Sequence, residues 1–452
     1  MRRILSIAIL TFRETVRSKL VLALAVVVAV IVCGMPFLLK GDGTPVGVAR
    51  MTLLYPLGAA FVFLALAAPW TAAASLASDV KGRTLQLVRV KPVRMWQLWC
   101  GKWLGLLLLN ALLLAGAFAC VYVRLAATGA LAFEDIRIAK RHIHPVLPSL
   151  EQQMAAMEAH AAASRENGMT PQERREFRAT LRRRLPYANA SLPPGGTWHW
   201  FFEPGRLPAE GEKVWLHLGL HSDSLSPTQP RATILLRAAG AEDGSGLPGE
   251  VTDFSARNID VSLPGPAFGE TNRLELVIAN TAQKDAAGKD TPLLFVQPRK
   301  ELILLLRAGG LGANMARAYA LLLSLLALLL ALGLTAGSFF TLPVAVFATT
   351  CLILSVVSSA YVMTDPDILD PEYAASLTML QRFQFHLSAG VTRTLAAASS
   401  PALTPAPLGH LSDSEWVPAK ELLEAVAGNA LVLPALLAIL SSLHLARKEL
   451  PE

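Results

Sequence analysis

The chain has 452 residues, of which 53% are hydrophobic and 17% charged, with a mean hydropathy of +0.44 and a net charge of +7. Soluble domains carry about a quarter charged residues, so a uniformly soluble globule is excluded. Long runs have no charge at all, while 126–307 reads like an ordinary soluble domain. Much of the basic excess lies beside apolar runs, where Lys and Arg set topology, which argues against nucleic acid as the partner.

Residues 1–19 are short, basic and amphipathic. Ile4, Ile7, Ala8, Leu10, Thr11 and Val16 fall largely toward one side at helical spacing, and Arg2, Arg3, Arg13, Arg17 and Lys19 lie elsewhere. The pattern predicts a helix lying in the inner interface of a bilayer. A secretory signal peptide is the competing reading. The apolar run that follows, 20–39, is long enough to span and no convincing small-residue cleavage site comes after it.

Six spans are expected, at 20–39, 51–78, 103–123, 316–336, 342–362 and 422–445. Pro56 and Pro69 predict a kink or break in the second. Lys and Arg in the short loops put both termini and the loop 79–102 inside, in a cell (inner) membrane. Segments 126–310 and 364–420 are then outside. The segment 311–363 carries spans four and five, and 421–452 carries span six with a short tail. The span interiors hold no Asp, Glu, Lys or Arg; Asn110 and Asn429 are the strongly polar exceptions and read as hydrogen-bonded helix–helix contacts. Proton-coupled pumps need intramembrane charge, so that class is disfavoured.

In the loop 79–102, Asp79 is placed to cap a helix over 80–88, Pro92 ends it, and Met95 leads straight into the third span. The outside region divides into a mostly helical part, 126–192, and a β-sandwich-like part, 193–306. Thr170-Pro171-Gln172-Glu173 predicts a capped helix start. The arginines that follow, from Arg174 to Arg184, read as a solvated face partly paired with Glu in preference to a lipid-headgroup surface. Strands are expected at 197–202, 214–220, 232–237, 258–263 and 273–278. Trp198, Trp200, Phe201 and Phe202 read as core packing. His142 and His144 give only a weak metal pattern, and Cys33, Cys100, Cys120 and Cys351 leave the outside domain without a disulfide framework. A short helix is expected at 369–380.

The order of residues in the loop carries a resemblance. Asp79, then Gly82, Arg83, Thr84 and Leu85, then Pro92, Val93 and Arg94, then Gly101 and Lys102 opening a span, resembles the coupling loop of ATP-binding cassette permeases of the type 2 exporter class. The start, with Arg13, Arg17 and Lys19, is similar to that family's interfacial elbow helix, and 338–347 to the segment opening its fifth span. The resemblance covers roughly 1–125 and 311–362 and says little about 126–310. Asp79 departs mildly from the family's usual Glu.

The resemblance implies a dimeric pathway, homo- or heteromeric. A separate ATPase subunit would bind ATP and Mg and push on the loop, and this chain would hold no cofactor. Independently, no Gly-x-x-x-x-Gly-Lys-Ser/Thr occurs here, and no nucleophile elbow or HExxH marks an enzyme. The alternative is a membrane-anchored sensor or scaffold whose sandwich binds an outside protein.

Overall fold

The structure, a computed structural model, describes residues 2–38, 44–81, 94–148, 150–163, 170–184, 190–192, 196–204, 213–219, 221–222, 232–238, 247–251, 259–264, 273–280, 294–298, 301–364 and 407–447, with single positions between 379 and 390. Two compact units result, one formed by Met1–Ala139 with Gly309–Glu452, the other by Lys140–Ala308.

The helices, in chain order, begin with α1 (Arg2–Val16), α2 (Lys19–Leu38), α3 (Pro45–Lys81), α4 (Met95–Ala127) and the short α5 (Glu134–Arg137). The second unit contains α6 (Leu150–Ala163) and α7 (Pro171–Arg184). The first unit resumes with α8 (Leu311–Phe339), α9 (Leu342–Thr364), α10 (Pro407–Ser412) and α11 (Ala419–Ala425). From α11 the chain passes through a π-helical stretch, Val426–Val432, into α12 (Leu433–Arg447).

Among the described residues, five helical segments are long and apolar enough to cross a membrane: Val21–Leu38, Pro45–Asp79, Met95–Ala127, Leu311–Phe339 and Ala419–Leu445. A shorter apolar stretch, Leu342–Ser355, opens α9. Their outer faces expose Leu22, Val30, Leu112, Phe347, Leu436 and Leu443. So much contiguous apolar surface is not tolerated in water, so the chain is a multi-pass helical membrane protein.

α3 is the centre of this unit. Leu53, Leu57, Ala60, Leu64, Ala68, Ala72 and Leu76 recur at three- and four-residue steps, and all are fully buried. Neither Pro56 nor Pro69 ends the helix, which runs unbroken from Pro45 to Lys81. At Pro69 the neighbouring helix is as close as chain allows. A Cβ added at Gly333 of α8 would overlap the Pro69 carbonyl, and one at Gly337 would stand 2.6 Å from the Ala73 carbonyl oxygen. The two pairs advance together, so α3 and α8 are parallel. Small residues let membrane helices approach this closely, where packing replaces the missing hydrophobic drive.

α4 runs antiparallel to α8. Trp103 donates its indole N–H to the Ala327 carbonyl at 2.8 Å, and Tyr319 donates its hydroxyl to the Ala111 carbonyl at 3.0 Å. Asn110 departs from expectation: its amide donates to Leu106 one turn back on its own helix, at 2.9 Å. An apolar neighbourhood offers no nearer acceptor than that carbonyl. Asn429 is fully buried inside the π-helical stretch.

In the second unit, β1 (Ile138–Ile143), β11 (Leu302–Gly310), β4 (Lys213–Leu218) and β8 (Ile259–Pro264) form one sheet in that order. Another has the order β3 (Thr197–Phe202), β9 (Leu274–Asn280), β6 (Ala232–Ala238) and β7 (Leu247–Val251). A third joins β2 (Ala190–Leu192), β10 (Leu294–Val296) and β5 (His221–Ser222). The strand pairs for which a register is defined are antiparallel, for example Trp200 opposite Leu276 and Leu216 opposite Val261. Phe202, Leu216, Ile234, Leu276, Leu294 and Leu304 share one buried core.

β1 lies where helix was expected. Its Lys140 ammonium sits over the Trp215 ring, 4.5 Å from the centroid, which lets a charged residue join a buried strand. The helix start at Thr170 forms as predicted. Its backbone N–H donates to Glu173 Oε2 at 2.9 Å, and the Glu173 N–H donates back to Thr170 Oγ1 at 3.3 Å. The buried Glu158 of α6 takes both Arg174 and Arg178 of α7, at 3.1 and 2.6 Å. The expected helix at 369–380 falls almost wholly outside the described residues.

The close seat of α8 on α3 is directly testable. Gly333→Leu is expected to destabilise the detergent-solubilised protein by about 3 kcal/mol or more, since backbone cannot yield as side chains do. Gly116→Leu, whose added carbon would meet nothing within 4 Å, is expected to leave the thermal midpoint unchanged in the same melting experiment.

Candidate functional site

The loop singled out from the sequence hangs between α3 and α4, and both of its attachments are defined. Asp79 lies in the last full turn of α3, which continues to Lys81. This corrects the expectation that Asp79 opens a new helix. The reason is Lys102 of α4. Its ammonium meets Asp79 Oδ2 at 2.6 Å and donates to the Ser75 carbonyl at 2.9 Å and to Ser75 Oγ at 3.0 Å. An ammonium has three donors, and these contacts use all of them. The Lys102 side chain is only 6% exposed, so the pair is a charge-assisted staple between two spans. It also shows how a helix core tolerates a lysine: the charge is neutralised where it is buried.

On the far side of the loop, Arg94 has extended backbone (φ −78°, ψ 146°) and caps α4. Its N–H donates to Gln97 Oε1 at 3.2 Å, and the Gln97 N–H donates to the Arg94 carbonyl at 2.9 Å. Gln97 thus plays the returning half of a capping box. Of the loop residues assigned from the sequence, Gly82, Arg83, Thr84, Leu85 and Pro92 lie outside the described residues.

Gly101 is the floor on which α1 rests. An added Cβ there would come within 2.6 Å of Ile7 Cγ2, and at Gly105 within 2.6 Å of the Ala8 carbonyl oxygen. Ile4, Ile7, Ala8 and Thr11 form the packed stripe of α1. Leu10 and Val16, expected on that stripe, are exposed together with Leu5 and Ile9. Arg13, Arg17 and Lys19 are not buried either. A helix with one face on protein and both leucines and arginines on the other suits the boundary between acyl chains and water. Ser18 breaks α1 from α2, its hydroxyl accepting the Val21 N–H at 3.2 Å.

Sequence reasoning missed Ser75, Trp103 and Gly105. Only the last left a legible sign, the four-residue step from Gly101 to Gly105 that marks close helix approach. Trp99 and Trp103 stack with centroids 6.3 Å apart beside this floor. The staple, the α4 cap and the seat of α1 therefore share one short stretch of α4.

A second polar cluster lies at the other end of this unit, around the first turns of α8. The fully buried Asn314 donates to the Glu415 carbonyl at 2.7 Å and accepts the Val417 N–H at 3.0 Å. Arg317 donates to the Val417 carbonyl at 2.7 Å and stacks on Trp416, 4.1 Å from the ring centroid. Trp416 in turn lies against Gly309, where no side chain would fit. Ser414, with φ of 55°, turns the chain tightly and donates its hydroxyl to the Asp135 carbonyl. His410 Nδ1 meets Glu415 Oε2 at 2.6 Å, and its Nε2 stands 3.8 Å from Glu421 Oε2. The Glu415 hydrogen bond raises the His410 pKa, burial opposes it, and the charges of Glu415, Glu421 and Asp413 reinforce the rise. Among the described residues, no group of three or more His, Cys, Asp or Glu is disposed to hold a metal ion.

Both clusters can be probed by substitution. Lys102→Met removes the ammonium that meets Asp79 and is expected to cost about 3 kcal/mol in thermal unfolding, with Lys102→Met/Asp79→Asn regaining most of it. Because the folded His410 pKa is raised above the usual value of about 6.5, its stabilisation is complete below that pH and is lost as pH rises through the folded value. Hydrogen exchange over 407–425 should therefore quicken as pH rises across that window, after correction for intrinsic rates, and His410→Gln should flatten the dependence. Compared with protein-family models, curated proteins and solved structures, the chain matches none.

Proposed function

We propose that this chain is the permease subunit of an ATP-binding cassette transporter of the type 2 exporter class, driven by a separate ATPase that binds ATP and Mg. The observation that carries this reading is how α3 and α4 are held on either side of the segment 82–93. Where the chain leaves α3, the buried Lys102 of α4 meets Asp79; where it enters α4, a helix cap closes the first turn; and α1 is seated on the same stretch of α4. A loop that only set topology needs neither a staple nor a glycine floor.

In this reading α9 is the fifth of six spans, giving an even number and placing both termini and the loop in the cytoplasm. Lys140–Ala308 then stands outside, its two four-stranded sheets facing each other as a sandwich that guides cargo or docks a partner. Leu85, Leu87 and Trp96 supply apolar contacts to a cleft on the ATPase, and Arg83 and Arg94 supply polar ones. Closure of the ATPase on ATP moves the loops of two permease copies together. The short Lys102–Asp79 contact passes that motion to α3 and α4 as a rigid displacement.

The test is co-purification from mild detergent. The wild-type chain should bring down a protein with Walker motifs, and Leu85→Asp should lose it while keeping the wild-type thermal midpoint. Retention of the ATPase by Leu85→Asp would remove the loop from the interface. Absence of any ATPase from the wild-type eluate would favour an anchored scaffold.

A further inference from the structure

We propose that Cys33 and Cys120 form a redox-responsive clamp, a reversible disulfide that fastens α2 to α4. Their sulfur atoms stand 3.6 Å apart across the two helices, each thiol within hydrogen-bond distance of the other. Both are free thiols. A disulfide needs the sulfurs at about 2.05 Å, an approach that side-chain rotation and a small shift of one helix supply.

α2 is the helix able to make that shift. It buries Val21, Val28 and Val32 on one side and exposes Leu22, Val26, Val30, Phe37 and Leu38 on the other. Val21, Val28 and Val32, with Leu24 partly buried beside them, hold it, and Cys33 lies directly after Val32.

The position along the helices also favours reaction. Arg124 lies one turn beyond Cys120, about 6 Å along the axis, and its guanidinium rests on the Phe37 ring at 4.7 Å from the centroid. Phe37 is likewise one turn beyond Cys33. Arginine in a span keeps its head group at the water boundary, so the thiols are about a turn from that boundary. A small oxidant arriving from that side can reach them. Cys100 and Cys351 are not neighbours of this pair: Cys100 sits beside the Gly101 floor at the other end of α4, and Cys351 is on α9.

The chemistry balances with an external disulfide as oxidant. One thiolate, having lost its proton, attacks the external disulfide and releases one thiol. The second protein thiol loses its proton and displaces the other half as a second thiol. Cys33 and Cys120 together give up two protons and two electrons, the external disulfide takes both electrons, and one protein disulfide forms. An added dithiol reverses it. The clamp rests on this geometry alone and does not depend on the transport reading.

The experiment treats the full chain in membranes with an aromatic disulfide, quenches with acid, and maps peptides without reduction by mass spectrometry. The expected result is a peptide pair joined through Cys33 and Cys120, which disappears on adding a dithiol. Cys33→Ser should stop at a mixed disulfide on Cys120, and the linked wild-type protein should melt several degrees higher than the reduced protein while Cys33→Ser shows no such shift. Recovery of Cys33 and Cys120 as separate mixed disulfides in the wild type, or linkage between chains or to Cys100 or Cys351, would overturn the proposal. Should Cys33→Ser fail to fold, Cys120→Ala provides the same comparison from the other helix.

Discussion

The helical unit depends on two glycines of α8 lying against the backbone of α3. Within a bilayer no hydrophobic gain separates packed helices from dispersed ones, so association must come from contact area and shape. Gly333 and Gly337 let two long helices touch backbone to backbone at Pro69 and Ala73. Two further helices attach to that axis. α4 is fixed to α8 by the donors of Trp103 and Tyr319, and α1 is fixed to α4 by the same small-residue device at Gly101 and Gly105. Polar atoms do the positioning and small residues set the distance.

Charge is used sparingly and at the ends. Lys102 and Asp79 neutralise each other where α3 and α4 meet the loop, and Arg317 directs its charge onto a carbonyl and an indole face at the start of α8. In both, the cation is met by oxygens of the chain itself, from Ser75 and Asp79 in one case and from Val417 in the other. The apolar middle is left to leucine, alanine and glycine. Helices so poor in charge between their ends can host few kinds of ion-coupled chemistry.

Much of this was legible in the sequence, because an uncharged apolar run of spanning length has hardly any stable place but a bilayer. Helix and strand periodicity also placed β3, β4, β6, β8 and β9 to within a residue or two, and the Thr170–Glu173 reciprocity announced α7. What was not legible were pairings between distant residues. Asp79 looks like a cap when read locally, and only Lys102, one helix away, makes it an anchor. Asn314 sat just outside an apolar run and gave no sign of grasping 415–417. β1 carries Lys140, Arg141 and His142, a composition that hides a strand until Trp215 is known to cover the lysine. Of the kink or break expected at Pro56 and Pro69, the break does not occur: α3 runs on through both.

The π-helical stretch at Val426–Val432 has a consequence for the whole of the last span. A wide turn holds a surplus residue, and in an α-helix each residue turns the chain by about 100°. The span is therefore two half-helices whose faces are set out of phase by that surplus. Were the stretch to tighten into α-helix, α12 would turn about its axis and advance by about 1.5 Å, one residue's rise, and the face carrying Ser441 and Leu445 would sweep around the bundle while the end at Trp416 stayed in place. A single span thus contains a rotary joint, stored as one excess peptide in its backbone.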